Sequence, residues 1–556
     1  MGYTIEKVLS KNNLETIRVN NLFLHSKFNP IQEANKFVEN KYAPHQLHVV
    51  FGYGLGYIVE ELIKLMKFNE PILIIDPLID EKLLSISNHN YERLYYVNSE
   101  QDEQIIDMLD QLASYTTKVQ FISSINYEKL FPTQVRKLVE YIHLNQYKQA
   151  ANITTAKRYA HEWQKNLVLN TLPLSVDASL EVLKGKYDAP VVIAAGGPSL
   201  IKQLELVKTN REKFILICAG STINALVQHQ INPDYIVSVD GGVPNAKHFE
   251  QLQFDDSVSL IYSPTNHYKV RKSFSGNCYG FIPKVREKLD KYYSKRIGKK
   301  LPLIDGGGSV AHFAYAIAKY ISTGPIAFIG QDLAYTNNAS HAEGVKGNKK
   351  LTNTMDVVYV DGYYGEQIAT SPAMRIMLNT FNDAPLFDNT RKNIWNCTEG
   401  GAKIHTIPEL PFQQFIETYS NEAVLKIEPS NKLINGEEIV NQVQEELNGY
   451  QQVLSLLNQG IQLVNEMKMV KFSKSELNKL GKIEKHVNEL FAMYSLETLL
   501  EPVFDRCMKA YLPSVNETEL QTHSRIKEYT FDLYSSCIAE LEKFINEINV
   551  EELKYV

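Results

Sequence analysis

Val191-Val-Ile-Ala-Ala195, running into Gly196-Gly197-Pro198-Ser199-Leu200, is the stretch on which the fold turns. Five apolar residues are too few for a helix and suit a buried strand. The two glycines permit a tight turn, and Pro198 suits the first turn of a helix. The same grammar repeats along the chain. Phe214–Cys218 enters Ala219-Gly220-Ser221-Thr222, Tyr235–Val239 enters Asp240-Gly241-Gly242, and Ile326–Ile329 enters Gly330-Gln331-Asp332. Leu303-Ile304 enters Asp305-Gly306-Gly307-Gly308-Ser309 and an alanine-rich helix to Tyr320. Short, continuously apolar strands alternating with helices predict an α/β fold with a doubly wound parallel sheet covered on both faces. Ligands of such sheets bind at the carboxyl ends of the strands, where these glycine-rich loops gather.

Upstream, Leu47–Phe51 reads as a strand that enters Gly52-Tyr-Gly54-Leu-Gly56. A helical pattern through Ile58, Leu62 and Leu65 follows, then a strand Pro71–Ile75 ending in Asp76. That order predicts a Rossmann-like N-terminal domain over 1–150. Its glycines fit either a dinucleotide-type site or a turn that merely joins strand to helix, and a short glycine motif favours the second. Val135, Leu138, Val139 and Ile142 open a long helical stretch, so 151–188 is read as a helical connector and 189–420 as a second α/β domain, the one to which the resemblance described below assigns catalysis. From about Pro429 the period changes. Val440, Val443, Leu447, Tyr450, Leu454, Leu457, Ile461 and Val464 keep three-and-four spacing, as do Leu480–Tyr494 and Ile526–Ile548. Residues 421–556 therefore form a helical C-terminal domain whose apolar seams pack a core or seat a partner's helix.

At 556 residues the chain has room for three or four domains. Its 58 Lys plus Arg against 64 Asp plus Glu leave a net charge of −6, which gives no footprint for nucleic acid. The five cysteines are scattered without a Cys-x-x-Cys pair, against a disulfide framework or thiolate zinc site. No apolar run approaches the roughly 20 residues that span a bilayer, and no secretory signal precedes the first strand. The expectation is a cytoplasmic protein without membrane insertion.

The loops carry the chemistry. Gly196, Gly197, Pro198 and Ser199 make either an anion site at a helix start or a routine strand-to-helix turn. The repetition of small polar residues at Gly220-Ser221, at Asp240 and at Gly307-Gly308-Ser309 tilts the reading toward a nucleotide cleft. No G-x-x-x-x-G-K-[ST] occurs, so this is no P-loop. Any Mg²⁺ would need separated acids such as Asp240, Asp305 and Asp332, which serve equally well as caps or loop carboxylates.

The runs Val191–Leu200 (VVIAAGGPSL), Gly306–Ala311 (GGGSVA), Gly330–Tyr335 (GQDLAY), Ser340–Gly344 (SHAEG) and Asn396–Ile404 (NCTEGGAKI) resemble the motility accessory factor, or Maf, flagellin glycosyltransferases. Leu24–Ala34 (LHSKFNPIQEA) and the Gly52–Gly56 turn resemble that family's N-terminal domain. The central region is also similar to bacterial sialyltransferases that use CMP-sialic acid, with Gly196 in place of their loop asparagine and no counterpart of their catalytic histidine.

The resemblance implies transfer of a nonulosonic acid, of the pseudaminic or legionaminic type, from its CMP conjugate to flagellin Ser or Thr hydroxyls. Flagellin is the implied protein partner. The CMP-sugar is the donor substrate; no metal cofactor is required, and Mg²⁺ is compatible without a motif that indicates it. The glycine loops would hold the leaving phosphate through the N–H groups of the Gly197 and Ser309 loops, with Tyr335 donating a hydrogen bond. Gln331 lies in the same strand-end motif. His341, Asp332 and Glu366 are the candidates for the base that takes the acceptor proton, His341 within a segment 337–350 that reads as a lid. Asn396, Thr398 and Glu399 read cytosine or ribose, or shape the turn at Gly400-Gly401. Two alternatives stand beside this reading. One is a 6-hydroxymethylpterin pyrophosphokinase using ATP and Mg²⁺ at Asp240 and Asp332. The other is a non-catalytic flagellin-binding accessory protein.

Overall fold

The computed structural model describes residues 3–78, 91–113, 118–345, 357–382, 393–427, 436–468 and 472–548. The chain divides into two compact units. The first comprises Met1–Ala156, Met469–Lys471 and Asp505–Tyr529; the second comprises Lys157–Lys468, Phe472–Phe504 and Thr530–Val556. Of the segments read from sequence, 1–150 falls in the first unit and 189–420 in the second, while 421–556 contributes to both.

In the first unit, β1 (Ile5–Leu9), β2 (Glu15–Val19) and β3 (Leu22–Phe23) form a small antiparallel sheet. β4 (Leu47–Phe51), β5 (Ile72–Asp76), β6 (Leu94–Asn98) and β7 (Val119–Ser123) form a parallel sheet in the order β6-β5-β4-β7. That is the half-Rossmann order 3-2-1-4 expected from the strand, turn, helix, strand grammar. Its glycine turn is filled by the protein itself. Asp76 accepts from the Tyr53 N–H (2.6 Å), the Gly54 N–H (3.3 Å) and the Tyr127 hydroxyl (2.9 Å). The Leu55 N–H donates to His25 Nε2 at 2.8 Å. A Cβ on Gly54, which sits at φ +59°, would come within 2.4 Å of that same nitrogen. The N–H groups that a dinucleotide phosphate would use and the acid that a ribose would use are thus spent on one another, which decides for the scaffold role.

His25 is buried, and burial pulls its pKa down to about 4. A folded pKa below the unfolded value of about 6.5 means that the unfolded chain binds more protons between those limits. Stability must fall as the pH drops through that window. Denaturant unfolding at pH 7 and pH 4.5 should show the wild type losing on the order of 2–3 kcal/mol more than His25→Gln. A gap between the two proteins that ignores pH would free the turn from this histidine.

In the second unit, β8 (Ala178–Ser179), β9 (Val191–Ala194), β10 (Ile215–Ala219), β11 (Tyr235–Ser238), β12 (Ser259–Tyr262) and β13 (Cys278–Gly280) precede a separate parallel pair, β14 (Ile282–Pro283) and β15 (Leu303–Ile304). β16 (Ile326–Ile329), the antiparallel hairpin of β17 (Val358–Asp361) and β18 (Gln367–Thr370), and β19 (Ile394–Asn396) follow. The main sheet is eight-stranded and parallel, in the order β19-β16-β9-β10-β11-β12-β13-β8. Alternate residues face opposite cores. Val192, Leu216, Ile236 and Leu260 pack on one side, and Ile193, Ile217, Val237 and Ile261 on the other. Each such side chain is worth about 1.5–3 kcal/mol on full burial, which is why the strands read as unbroken apolar runs.

The strand order places the topological switch at β9. Its successors run outward through β10 to β13, and the chain then returns to lay β16 on its other side. The helix Val310–Ile321 covers one face, and the helices Pro132–Leu169, Gly436–Glu466, Lys474–Met493, Glu497–Ala510 and Glu519–Glu547 occupy the stretches read as helical. Among the described residues no helix is long and apolar enough to cross a membrane.

Candidate active site

Of the four small-residue loops read as a nucleotide cleft, three end strands of the main sheet: Gly196-Gly197 after β9, Gly220-Ser221 after β10, and Asp240-Gly241 after β11, with Gly330-Gln331 after β16 on the same sheet. The fourth does not. Gly307-Gly308-Ser309 follows β15, which pairs only with β14, so the expectation of four loops on one sheet edge is corrected to three. The Ser309 N–H is turned onto the Gly307 carbonyl (2.7 Å) and its hydroxyl onto His312 Nδ1 (2.7 Å), so neither reaches out for a phosphate. His312, a histidine the sequence reading passed over, is buried against Phe381 and held down to about 4 by that burial.

The turn after β9 is likewise inward-facing. Pro198–Lys202 is a 3₁₀ turn rather than the start of an α-helix. The Gly197 N–H donates to the Gly330 carbonyl at 2.7 Å. The Ser199 N–H lies 3.2 Å from Asp332 Oδ1, and the Ser199 hydroxyl donates to that oxygen at 2.5 Å. Asp332 Oδ2 accepts from Thr336 at 2.6 Å. With 1% of its surface exposed and both oxygens engaged, Asp332 pins the end of β16 to the end of β9. Burial pushes its pKa up while the Ser199 and Thr336 bonds hold the charged form. In this geometry Asp332 positions two strand ends, and Gly197 is a glycine because Asp332 occupies the space of its Cβ.

Glu366 stands apart from this pair of strand ends. It is exposed at the turn of the β17–β18 hairpin and accepts from the Tyr364 N–H two residues back (3.0 Å). Asp240 is exposed at the end of β11, accepting from the Gly242 N–H at 3.0 Å. Asp305 pairs with Lys284 at 2.9 Å. The three acids considered for Mg²⁺ thus stand in different places, and among the described residues no group of His, Cys, Asp and Glu is arranged to hold a metal.

The switch point does collect a set of polar atoms with nothing to bind. Among the described residues Thr222 Oγ1, Gln331 Oε1, Asn396 Nδ2 and Gln203 Oε1 are buried without a hydrogen-bond partner. They come from the ends of β10, β16 and β19 and from the segment after Ser199. Thr222 Oγ1 stands 3.3 Å from the Cβ position of Gly196. The Thr398 hydroxyl accepts from the Gln331 N–H (3.2 Å), and Gln203 Nε2 donates to the Thr398 carbonyl (3.1 Å), which ties the β19 end to the same place. Thr222 stood beside residues singled out in the sequence; Gln203 carried no signal there at all. A buried polar group without a partner costs about 1–3 kcal/mol, and one edge of one sheet holds several.

His341 is brought to this edge. The Ala342 N–H donates to the Gly196 carbonyl at 2.9 Å, and His341 Nδ1 lies 2.9 Å from the Ser340 hydroxyl. Of the segment read as a lid, residues 346–350 lie outside the described residues. Tyr335 is tied through its N–H to the Ala369 carbonyl of β18 (2.8 Å). Glu399 Oε2 accepts from the Phe412 N–H (3.3 Å) and so shapes the turn there. An open groove of about 350 Å³ between the helices Gly436–Glu466 and Lys474–Met493, lined by Gln462, Leu463, Glu466, Lys479, Lys482 and Ile483, touches none of these groups. Topology and unsatisfied atoms, not concavity, mark the site.

Residues 161–338 match the family model described as 6-hydroxymethylpterin diphosphokinase MptE-like. No curated protein matches the sequence. Among solved structures the chain is similar to the MAf glycosyltransferase from Magnetospirillum magneticum AMB-1, at 14% identity and a TM-score of 0.56, over 99% of this chain and 94% of that one. The chain thus has the fold of a Maf glycosyltransferase over nearly its whole length, around an MptE-like central segment.

Proposed function

We propose that this chain is a glycosyltransferase that acts in the cytosol and moves a nonulosonic acid from its CMP conjugate to a Ser or Thr hydroxyl of flagellin. The observation that carries the proposal is the set of buried, unpartnered polar atoms at the switch point of a Maf-type fold. Asn396 Nδ2, a donor, and Gln331 Oε1, an acceptor, suit the edge of a cytosine or a ribose hydroxyl. Thr222 and Ser221 sit where the phosphate follows. In the reaction the anomeric carbon leaves the phosphate oxygen with its bonding pair, the acceptor oxygen attacks that carbon, and the hydroxyl proton passes to a base. Because Asp332 is engaged by Ser199 and Thr336 and Glu366 lies exposed at a hairpin turn, we assign the base to His341 and the donor to the leaving phosphate to Tyr335.

Calorimetry with CMP tests the site. Asn396→Ala and Gln331→Ala should each weaken binding about tenfold, the worth of one buried hydrogen bond. No CMP binding by the wild type would end the reading. Intact mass of flagellin co-expressed with a nonulosonic acid pathway tests the transfer, which His341→Ala should reduce at least a hundredfold. The competing reading has a test of its own: EDTA-sensitive release of AMP from ATP in the presence of 6-hydroxymethylpterin would establish a pyrophosphokinase instead.

A further inference from the structure

Within the second unit, Tyr159 and Trp163 lie one turn apart on the helix Pro132–Leu169 and stack at 6.2 Å. They close onto the double glycine after β11. A Cβ on Gly241 would come within 2.4 Å of the Trp163 ring, and one on Gly242 within 3.0 Å of Tyr159. Asn166, on the same helix, donates to the carbonyls of Gly241 (3.0 Å) and Thr265 (3.1 Å) and so fixes the turn against the rings. Trp163 also carries the guanidinium of Arg286, 4.7 Å from the ring centroid.

Arg286 ends the 3₁₀ turn that follows β14. Among the described residues it forms no hydrogen bond and no ion pair. Glu501 acts on it only through space, and burial makes its charge harder to keep. Its neighbour Lys284 by contrast is paired with Asp305. A partly buried guanidinium has five N–H donors to satisfy. Set over an aromatic ring, a guanidinium can still offer its N–H donors to two oxygens of one anion.

We propose that Arg286, held on Trp163, binds an oxyanion of the ligand, a carboxylate or a phosphate, beside the β11 end of the main sheet. The Gly241 turn lies two strands, about 10 Å, from β9 along the sheet edge. With the base read at the ends of β16 and β19 and the phosphate after β10, as proposed above, the attached sugar extends toward β11. Resting on the nucleotide-sugar reading above, the group is the carboxylate of the nonulosonic acid, which distinguishes that donor from neutral sugars.

The chain has two tryptophans, Trp163 and Trp395, so Trp395→Phe leaves Trp163 as the only emitter beneath the guanidinium. Titration of that variant with N-acetylneuraminic acid or inorganic phosphate, against sodium chloride at matched ionic strength, should give a saturable change in emission for at least one of the two. A response to the sugar acid alone assigns a carboxylate, and a response to phosphate alone assigns a phosphate. Arg286→Gln should abolish the response, and Arg286→Lys should weaken it at least tenfold while thermal unfolding stays near that of the parent. Emission that follows chloride in every titration, or an unchanged response in Arg286→Gln, overturns the proposal. If Trp395→Phe fails to fold, calorimetry of the same two anions on wild type and Arg286→Gln decides between the same outcomes. CMP binding measured in parallel reports on the nucleotide reading alone, since the anion titration needs no nucleotide.

Discussion

Gly197→Val should abolish the folded second unit rather than selectively remove nucleotide binding. The Cβ of any residue there would lie 2.1 Å from Asp332 Oδ1 and 2.5 Å from the Gly330 carbonyl. Neither neighbour can yield cheaply, because β16 is paired with β9 along Ile326–Ile329, directly before them. Displacing Asp332 also breaks its bonds from Ser199 and Thr336 and leaves a carboxylate buried without donors. Overpacking of this kind costs about 1–3 kcal/mol, and each bond to a charged group about 1.5–3 more. The sum, upwards of about 4 kcal/mol, is a large share of the stability of one domain. Circular dichroism and denaturant unfolding should show the loss, and Gly197→Ala should show a smaller version that combines non-additively with Asp332→Ala. A Gly197→Val protein with wild-type unfolding and impaired CMP binding would mean that the turn opens to ligand after all.

The glycine pair at 196–197 shows how far a sequence can be read. Its place was legible, because apolar runs of four or five residues ending in glycine have few structural meanings, and β9, β10, β11 and β16 formed where those runs lie. Its purpose was not, because a glycine that admits a phosphate and a glycine that admits a neighbouring carboxylate look alike in one dimension. Asp332 illustrates the same point from the other side: a carboxylate at a strand end signals either chemistry or a pin, and only its partners decide. β12 and β13 escaped notice, since Ser259–Tyr262 and Cys278–Gly280 are short and lack a glycine-rich exit loop. Gln203 and Arg286 carry no motif, and what makes them notable is the partner each lacks, a property of three dimensions.

Glu446→Ala should be nearly as damaging, and it bears on how the C-terminal helices are to be studied. Glu446, on the helix Gly436–Glu466, is buried and ion-paired with Arg296 at 3.1 Å. It also accepts from the hydroxyls of Tyr292, at 3.0 Å, and Tyr450. Arg296 and Tyr292 belong to the helix Lys288–Ile297, which lies within the segment read as catalytic. Burial pushes the pKa of Glu446 up, while Arg296 and the two tyrosine hydroxyls favour its charged form. Removing one partner of such a pair strands the other, at about 3–5 kcal/mol, whereas replacing both by apolar residues of similar size is often neutral. Glu446→Leu should therefore destabilise strongly in denaturant unfolding, and Glu446→Leu with Arg296→Met should recover most of the loss. Equal damage from the single and double variants would show that packing, not charge, joins the two helices. The same cluster predicts that deleting 425–556 yields an insoluble remainder, because the cut leaves Arg296, Tyr292 and their apolar surroundings uncovered. Such a truncation would then report on folding and not on any binding surface of these helices, which has to be probed with exposed point substitutions in a chain that keeps Glu446.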